Sequence, residues 1–377
     1  MIGRTILCIS TLLLAPLATG QSGDLPLPDL EPITPENAIR IVHLADLGKA
    51  YGKVVFSPDG TLLASVKEYG GHEIYVWDLR TGELTTLVGP QQFLDIWDLE
   101  FSPDGAILAS GSAYGDIILW SVATGELIKS LESESGHVWD LTFNADGTLL
   151  AASRSVDAEI WTLETGERKV LTGNLGALRN IVFSPDETMV AVGGGDGARL
   201  WDVATGKPLI VMEIGTGGGG VAFHPDGTSL VFGGERVRLF DVETGEQLIA
   251  LEPDVPGFSV AFDPDGTLLV SGNTVWDTET WDILTTLEKE DGSPIFADYS
   301  PQPVEFSPDG TLLRTGNVIW DTVTWRQLFI LEEAEVAGFE FGHVKVSLSP
   351  DRTLLAFVGD TIQLQGTVQL WGVPAGE

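Results

Sequence analysis

The chain has 377 residues, of which 43% are hydrophobic and 20% charged, with 55 acidic against 20 basic side chains. The formal net charge of −35 excludes binding to the DNA or RNA backbone, because such binding needs lysine and arginine to replace counterions. It also disfavours anionic membrane surfaces. The hydrophobic content is enough for a large core, so the acidity belongs to the surface and is not a sign of disorder.

The first twenty residues have the composition of a secretory signal peptide. Arg4 supplies a positive charge, residues 5–18 form an apolar run, and the small residues Ala18 and Gly20 precede a cleavage site before Gln21. The run is shorter than the roughly 20 residues that cross a bilayer as a helix, and an uncleaved anchor is the alternative. We therefore predict a signal peptide over residues 1–20 and a secreted or periplasmic protein. Its only cysteine, Cys8, lies in this segment, so the mature chain folds without disulfides.

Residues 21–38 are rich in proline. Pro26, Pro28, Pro32 and Pro35 favour an extended, polyproline-like conformation. We predict a poorly ordered tether over residues 21–38, followed by one domain over residues 39–377.

The rest of the chain is built from an internal repeat. A turn of the type Phe-Ser-Pro-Asp-Gly returns about every 42 residues, the period of a four-stranded propeller blade. Proline presets φ, aspartate caps the backbone and glycine accepts a positive φ, so a structural role is the favoured interpretation of these turns. The aspartates of the eight turns are Asp59, Asp104, Asp146, Asp186, Asp226, Asp265, Asp309 and Asp351.

Each turn is followed by a short apolar strand, a connection and a second strand that ends in an aromatic residue. Five of these aromatic residues precede aspartate, and a turn of the type Thr-Gly-Glu follows in the first five copies. The eight aromatic residues are Trp77, Trp120, Trp161, Trp201, Phe240, Trp276, Trp320 and Trp371.

This two-part repeat resembles the WD-repeat β-propellers, in the form of an exported, bacterial-type member, over about residues 39–377. The resemblance implies an all-β fold of eight four-stranded blades. Seven is the alternative if the copy at Asp265 or Asp309 is degenerate. The chain ends on a hairpin, residues 360–371, without an outer strand, whereas Ile39–Leu44 forms an outer strand without a blade. We predict that the two pair and close the propeller.

The chain departs from the family's buried set of His, Ser or Thr, Asp and Trp. No histidine stands at the family position, although Gly136-His137 lies nearby. The hydroxyl position is kept in four copies only, at Ser65, Ser110, Ser271 and Thr315. We therefore expect apolar stacking to hold the blades together more than polar contacts.

The patterns predict no cofactor and no metal. The glycine run 215–220 matches G-x-G-x-x-G, but a strand follows it where a nucleotide site needs a helix. The five histidines are scattered without metal-ligand spacing. A quinone-dependent dehydrogenase is disfavoured because its docking tryptophans are replaced by residues such as Thr86 and Lys129. A lactonase-like propeller, a propeller hydrolase and a propeller resembling the periplasmic TolB protein remain the alternatives to a non-catalytic scaffold.

The candidate binding residues are aromatic or basic and share one predicted face. In the inner strands, four residues before the leading phenylalanine of the turn, stand Trp97, Trp139, Arg179 and Phe258, and the hairpin loops of that face carry Tyr69, His72 and Tyr114. Aromatic and arginine side chains carry much of the energy of protein interfaces. We predict that these residues hold a peptide, a basic protein or a cell-envelope ligand, with a protein or peptide partner favoured. We also predict a monomeric scaffold that binds no nucleic acid and is not inserted in a membrane after signal cleavage. Alternatively, the tryptophans only fill the channel, or basic proteins bind the acidic turns of the opposite face.

Overall fold

The computed structural model describes residues 25, 27–90, 95–132, 136–155, 157–172, 178–213, 219–254, 257–289, 303–331, 346–358 and 366–375. Apart from a 3-10 turn at Ala38–Arg40, the regular structure in these ranges consists of β-strands. The predicted all-β class is confirmed.

The strands form four-stranded antiparallel units, each ordered along the chain from inner to outer strand. A short strand β1 (Leu30–Glu31) precedes them. Unit 1 contains β2 (Val42–Phe56), β3 (Leu62–Val66), β4 (Glu73–Asp78) and β5 (Leu84–Val88). Unit 2 contains β6 (Ile96–Phe101), β7 (Ile107–Ser112), β8 (Ile117–Ser121) and β9 (Leu127–Leu131). Unit 3 contains β10 (Val138–Phe143), β11 (Leu149–Arg154), β12 (Ala158–Thr162) and β13 (Glu167–Leu171). Unit 4 contains β14 (Leu178–Phe183), β15 (Met189–Gly194), β16 (Gly197–Asp202) and β17 (Pro208–Glu213).

The second half of the chain repeats the arrangement with shorter strands. Unit 5 contains β18 (Val221–Phe223), β19 (Ser229–Phe232), β20 (Val237–Asp241) and β21 (Gln247–Leu251). Unit 6 contains β22 (Val260–Phe262), β23 (Leu268–Ser271), β24 (Thr274–Asp277) and β25 (Ile283–Thr286). Unit 7 contains β26 (Val304–Phe306), β27 (Leu312–Thr315), β28 (Val318–Asp321) and β29 (Gln327–Ile330). Unit 8 contains β30 (Val346–Leu348), β31 (Leu354–Val358) and β32 (Gly366–Pro374).

Unit 8 takes its fourth strand from the beginning of the chain. The first part of β2 pairs with β32, from Val42 opposite Gly372 to Ala50 opposite Gly366, and the second part pairs with β3. The predicted pairing of the chain ends is therefore observed, but the strand begins at Val42 and not at Ile39, since Ala38–Arg40 forms the 3-10 turn. Because units 8 and 1 share β2, hydrogen bonding within the described ranges joins the eight units into seven sheets. The copies at Asp265 and Asp309 each form a complete four-stranded sheet.

The repeated aspartates hold the turns between the first two strands of each unit. In unit 2, the Ser102 hydroxyl and the Ala106 backbone N–H donate to Asp104 Oδ1 at 2.6 and 3.0 Å. The hydrogen bond from Ser102 is the main reason why the pKa of Asp104 lies below its usual value. Gly105 has φ +71°, a conformation that glycine adopts without steric cost.

The repeated aromatic residues pack each unit against the preceding one. Trp120 of unit 2 lies in a buried cluster with Ala64 and Val76 of unit 1. In the same way Trp77 of unit 1 packs against Ala356 of unit 8, so the series returns to its start. Two of the four hydroxyl residues that match the family pattern accept a hydrogen bond from the tryptophan of their own unit. Trp120 Nε1 donates to the Ser110 hydroxyl at 2.8 Å, and Trp320 Nε1 donates to the Thr315 hydroxyl at 2.7 Å.

The segment predicted as a tether is attached over residues 30–38, and for these residues the expectation of poor order is wrong. β1 pairs with β32, and the Ile33 backbone N–H donates to the Arg352 carbonyl at 2.8 Å. The Ile33 side chain is buried between Leu312 of unit 7 and Leu355 of unit 8. The segment therefore covers apolar side chains of units 7 and 8, among them Leu312 and Leu355. We call residues 30–41 the N-terminal arm.

None of the helices in the described ranges is long and apolar enough to span a bilayer.

Candidate functional site

The inner strands of units 2, 3 and 4 share an irregularity near their first residues. The pairing of β6 with β7 shifts between Ile96 and Asp98, which leaves Trp97 as the extra residue of a β-bulge. Trp139 has the same position in β10, and Arg179 has it in β14. A bulge redirects the side chain it contains and is common beside binding sites. Three predicted binding residues therefore share one backbone feature, although the Arg179 side chain lies outside the described part.

The two tryptophans meet around a histidine. The rings of Trp97 and His137 are stacked, with centroids 4.9 Å apart and an interplanar angle of 22°. Trp139 meets Trp97 edge-on at 4.8 Å and lies 5.7 Å from His137. Ser155 fixes this arrangement, because its hydroxyl accepts the Trp139 indole N–H at 3.2 Å and the His137 backbone N–H at 3.1 Å. His137 is exposed and both tryptophans are half-buried, so the three rings form a preorganised patch at the surface.

Two hairpin loops bring tyrosines next to this patch. The Asp95 backbone N–H donates to the Gly71 carbonyl at 3.0 Å, and the Ala113 N–H donates to the Asp95 carbonyl at 2.9 Å. Asp95 stands two residues before Trp97, so these bonds hold both loops beside the first bulge. Tyr69 and Tyr114 at the loop tips are 52% and 62% exposed. We call Tyr69, Trp97, Tyr114, His137 and Trp139 the aromatic rim.

Sequence reasoning missed His137 and Tyr51 as members of this region. Tyr51 supports the exposed tyrosine loop, with its ring 5.0 Å from that of Tyr69 and nearly perpendicular to it. His72, predicted as a binding residue, is half-buried, and its backbone carbonyl accepts the Gly89 N–H at 2.9 Å. The only signal for His137 was its place two residues before Trp139, since side chains two apart on a strand share a face.

Phe258 belongs to a different part of the molecule, the junction of units 5 and 6. Its carbonyl accepts the Gly220 N–H at 2.5 Å, and a Cβ on Gly219 would lie only 2.3 Å from the same oxygen. The described end of the glycine run thus lets two backbones approach closely. This contact accounts for Gly219 and Gly220 without a nucleotide.

A buried arginine anchors the loop that carries Ser155. Arg154 is fully buried, and its Nη1 lies 3.4 Å from Asp157 Oδ1 and 3.6 Å from Glu159 Oε2. Burial raises the pKa of Asp116, while the Arg154 guanidinium acts in the opposite direction. A buried ionic network of this kind favours a fixed position of the loop and therefore of Ser155.

Behind the rim, carboxylates on the inner strands hydrogen-bond from one unit to the next. Asp98 Oδ2 accepts the Leu141 N–H at 2.8 Å, and Asp140 Oδ2 accepts the Ile181 N–H at 2.9 Å. Lys53 Nζ lies 2.8 Å from Asp98 Oδ1. These side chains fix the spacing of units 1 to 4 and therefore the positions of the bulges.

Two carboxyl groups of this cluster, those of Glu100 and Asp140, have a raised pKa. Glu100 Oε2 lies 3.7 Å from Lys53 Nζ, and burial, opposed by that lysine, raises the pKa of Glu100 to about 7. Burial also raises the pKa of Asp140, assisted by the Asp98 carboxylate. Burial alone would lower the pKa of Lys53, but the neighbouring carboxylates raise it above its usual value.

Within the described ranges, no group of three or more His, Cys, Asp or Glu side chains is arranged to hold a metal ion.

Two family models match parts of the chain. Residues 54–146 match the WD40 domain of anaphase-promoting complex subunit 4. Residues 166–202 match the WD domain, G-beta repeat. The first match covers units 1 and 2 and the start of unit 3, and the second ends at the repeated Trp-Asp pair of unit 4. No curated protein matches the chain.

Proposed function

From the premise that this chain is a WD-repeat β-propeller protein, we propose that it is an exported, non-catalytic scaffold that binds a protein or peptide partner through the aromatic rim. WD repeats generally serve protein interactions, and the sequence of residues 1–20 supports export. Cleavage near Gly20–Gln21 would release a secreted or periplasmic monomer. Mass determination of the mature chain from the medium or periplasm tests this part of the proposal.

The observation that carries the proposal is the packing of Trp97, His137 and Trp139 into one surface patch. Large aromatic side chains supply most of the energy at protein interfaces when they stand on rigid supports. Here the rings are fixed by Ser155 and by the bulges, so little conformational entropy is lost when a partner binds.

The hydrolase or lactonase alternative depends on Glu100 and Asp140, because their pKa, raised to about 7, suits a general acid or base. Asp140, however, accepts the Ile181 N–H of the next unit, and Glu100 lies 3.7 Å from Lys53 Nζ of the preceding unit. Both carboxyl groups thus contact a neighbouring unit, and this structural role favours the scaffold over the enzyme.

The test is quantitative affinity capture from the periplasm or medium of the source organism. The bait variants are Trp97→Ala and Tyr114→Ala, and the matched control is Leu248→Ala, an exposed apolar residue on the outer strand of unit 5. We expect the rim variants to lose partners that the wild type and the control retain. If every captured partner stays bound to both rim variants, the aromatic rim is not the binding site.

A further inference from the structure

The loops around the aromatic rim carry more negative than positive charge. In the described residues of the loops 67–73, 112–116 and 154–157, together with residue 95, five carboxylates stand against two cations. The carboxylates belong to Glu68, Glu73, Asp95, Asp116 and Asp157, and the cations to Lys67 and Arg154. The surroundings of the rim therefore attract positive charge.

Neither cation is positioned to neutralise an acidic partner. Lys67 Nζ forms an ion pair with Glu73 at 2.5 Å, and the Arg154 side chain is fully buried with Asp157 and Glu159. An acidic segment approaching the rim would thus meet carboxylates without a balancing charge, which costs free energy.

The chain itself places cations on aromatic rings. Lys67 Nζ lies 5.7 Å from the centre of the Tyr75 ring, and the Arg168 guanidinium lies 5.8 Å from that of Trp161. Such pairs are favourable because the face of an aromatic ring is negative. The rings of the rim offer the same chemistry, with Tyr69 and Tyr114 more than half exposed.

We propose that the aromatic rim recognises a basic segment of the partner, with an arginine or lysine side chain against the exposed ring of Tyr69 or Tyr114. This inference rests on the proposed function and specifies the chemistry of the partner. Ring faces bind the cation directly, while the surrounding carboxylates increase its local concentration. The combination favours basic over neutral segments of the same shape.

The test compares two labelled peptides that differ only in charge. One carries arginine at alternate positions between serine and glycine, and the other carries citrulline, which has nearly the same shape but no charge. Binding to the full mature chain is measured by fluorescence anisotropy. We expect the arginine peptide to bind at least about tenfold more tightly than the citrulline peptide, a difference of about 1.4 kcal/mol.

Variants connect the binding to the rim. We expect Tyr114→Ala and Tyr69→Ala each to weaken the arginine peptide by about three- to tenfold, the range of exposed cation–π contacts. Glu68→Gln, a change on an exposed side chain, should weaken it at low salt and have less effect at high salt. Val323→Ala, an exposed apolar residue in the turn after β28 of unit 7, is the matched control and should change nothing.

The outcomes separate the inference from the proposed function. Equal binding of both peptides, with loss of both in the tyrosine variants, would overturn the charge preference and leave the rim as a protein-binding site. Arginine-peptide binding that all rim variants retain would overturn both, because the charge would then be bound elsewhere. Binding of a neutral chitooligosaccharide in place of either peptide would also overturn the inference.

Discussion

Ile33→Ala should destabilise the protein, although this residue lies in a proline-rich segment before the first repeat. The Ile33 side chain is 0% exposed and fills the space between units 7 and 8. Truncation of a fully buried isoleucine costs about 2–5 kcal/mol. The upper end of this range requires that the arm stay docked, since local undocking limits the loss to the free energy that attaches the arm. We therefore expect a loss of about 2–3 kcal/mol.

A second isoleucine of the N-terminal arm serves as the control for this experiment. Ile39 lies six residues later and is 92% exposed, so Ile39→Ala should change the stability by less than about 0.5 kcal/mol. The assay is urea unfolding followed by tryptophan fluorescence, with both variants in the mature chain. Equal midpoints for Ile33→Ala and Ile39→Ala would refute the conclusion that the arm packs on units 7 and 8.

Two further substitutions test the inner part of the molecule. The pKa of Glu100 is raised from 4.5 to about 7, so the folded chain holds a proton that the unfolded chain releases, and stability falls as the pH rises through this window. The free energy of unfolding of Glu100→Gln should therefore match that of the wild type near pH 5 and exceed it by about 1 kcal/mol at pH 8. This value is reduced for solvent screening, because 35% of the Glu100 side chain is exposed. The same difference in urea unfolding at both pH values would contradict the reasoning. Gly219→Ala should cost about 2–3 kcal/mol because its Cβ would lie 2.3 Å from the Phe258 carbonyl oxygen, whereas the nearest atom to a Cβ on Gly220 is 3.3 Å away. Thermal unfolding in which the neighbouring Gly220→Ala is equally damaging would argue against the close approach of units 5 and 6.

The repeated turns and aromatic residues were predictable because their chemistry is local. Asp104 caps a turn within two residues of itself, and Trp120 packs at a fixed distance along the chain from that turn. Trp97 and Trp139 stand four residues before the leading phenylalanine of their turns, and this constant spacing placed both at one end of the inner strands. Their contact depends on bulges that no short pattern in the sequence identifies.

The arm and the inner-strand cluster depend on contacts between distant residues. Ile33 lies among prolines, and it is buried only because Leu312 and Leu355, far away in the sequence, lie next to it in the fold. Glu100 lies on a strand where most copies carry uncharged residues at the equivalent position, such as Val55 and Ala222. Its raised pKa results from burial that the sequence does not reveal.

The most direct test of the aromatic rim as the partner-binding surface is site-specific photo-crosslinking in the source organism. Benzoylphenylalanine replaces Tyr114 in one strain and Leu248 in another, so that both probes are exposed but only the first lies on the rim. We predict that irradiation joins a partner to the Tyr114 position and none to the Leu248 position. Adducts at Leu248 together with none at Tyr114 would contradict the assignment.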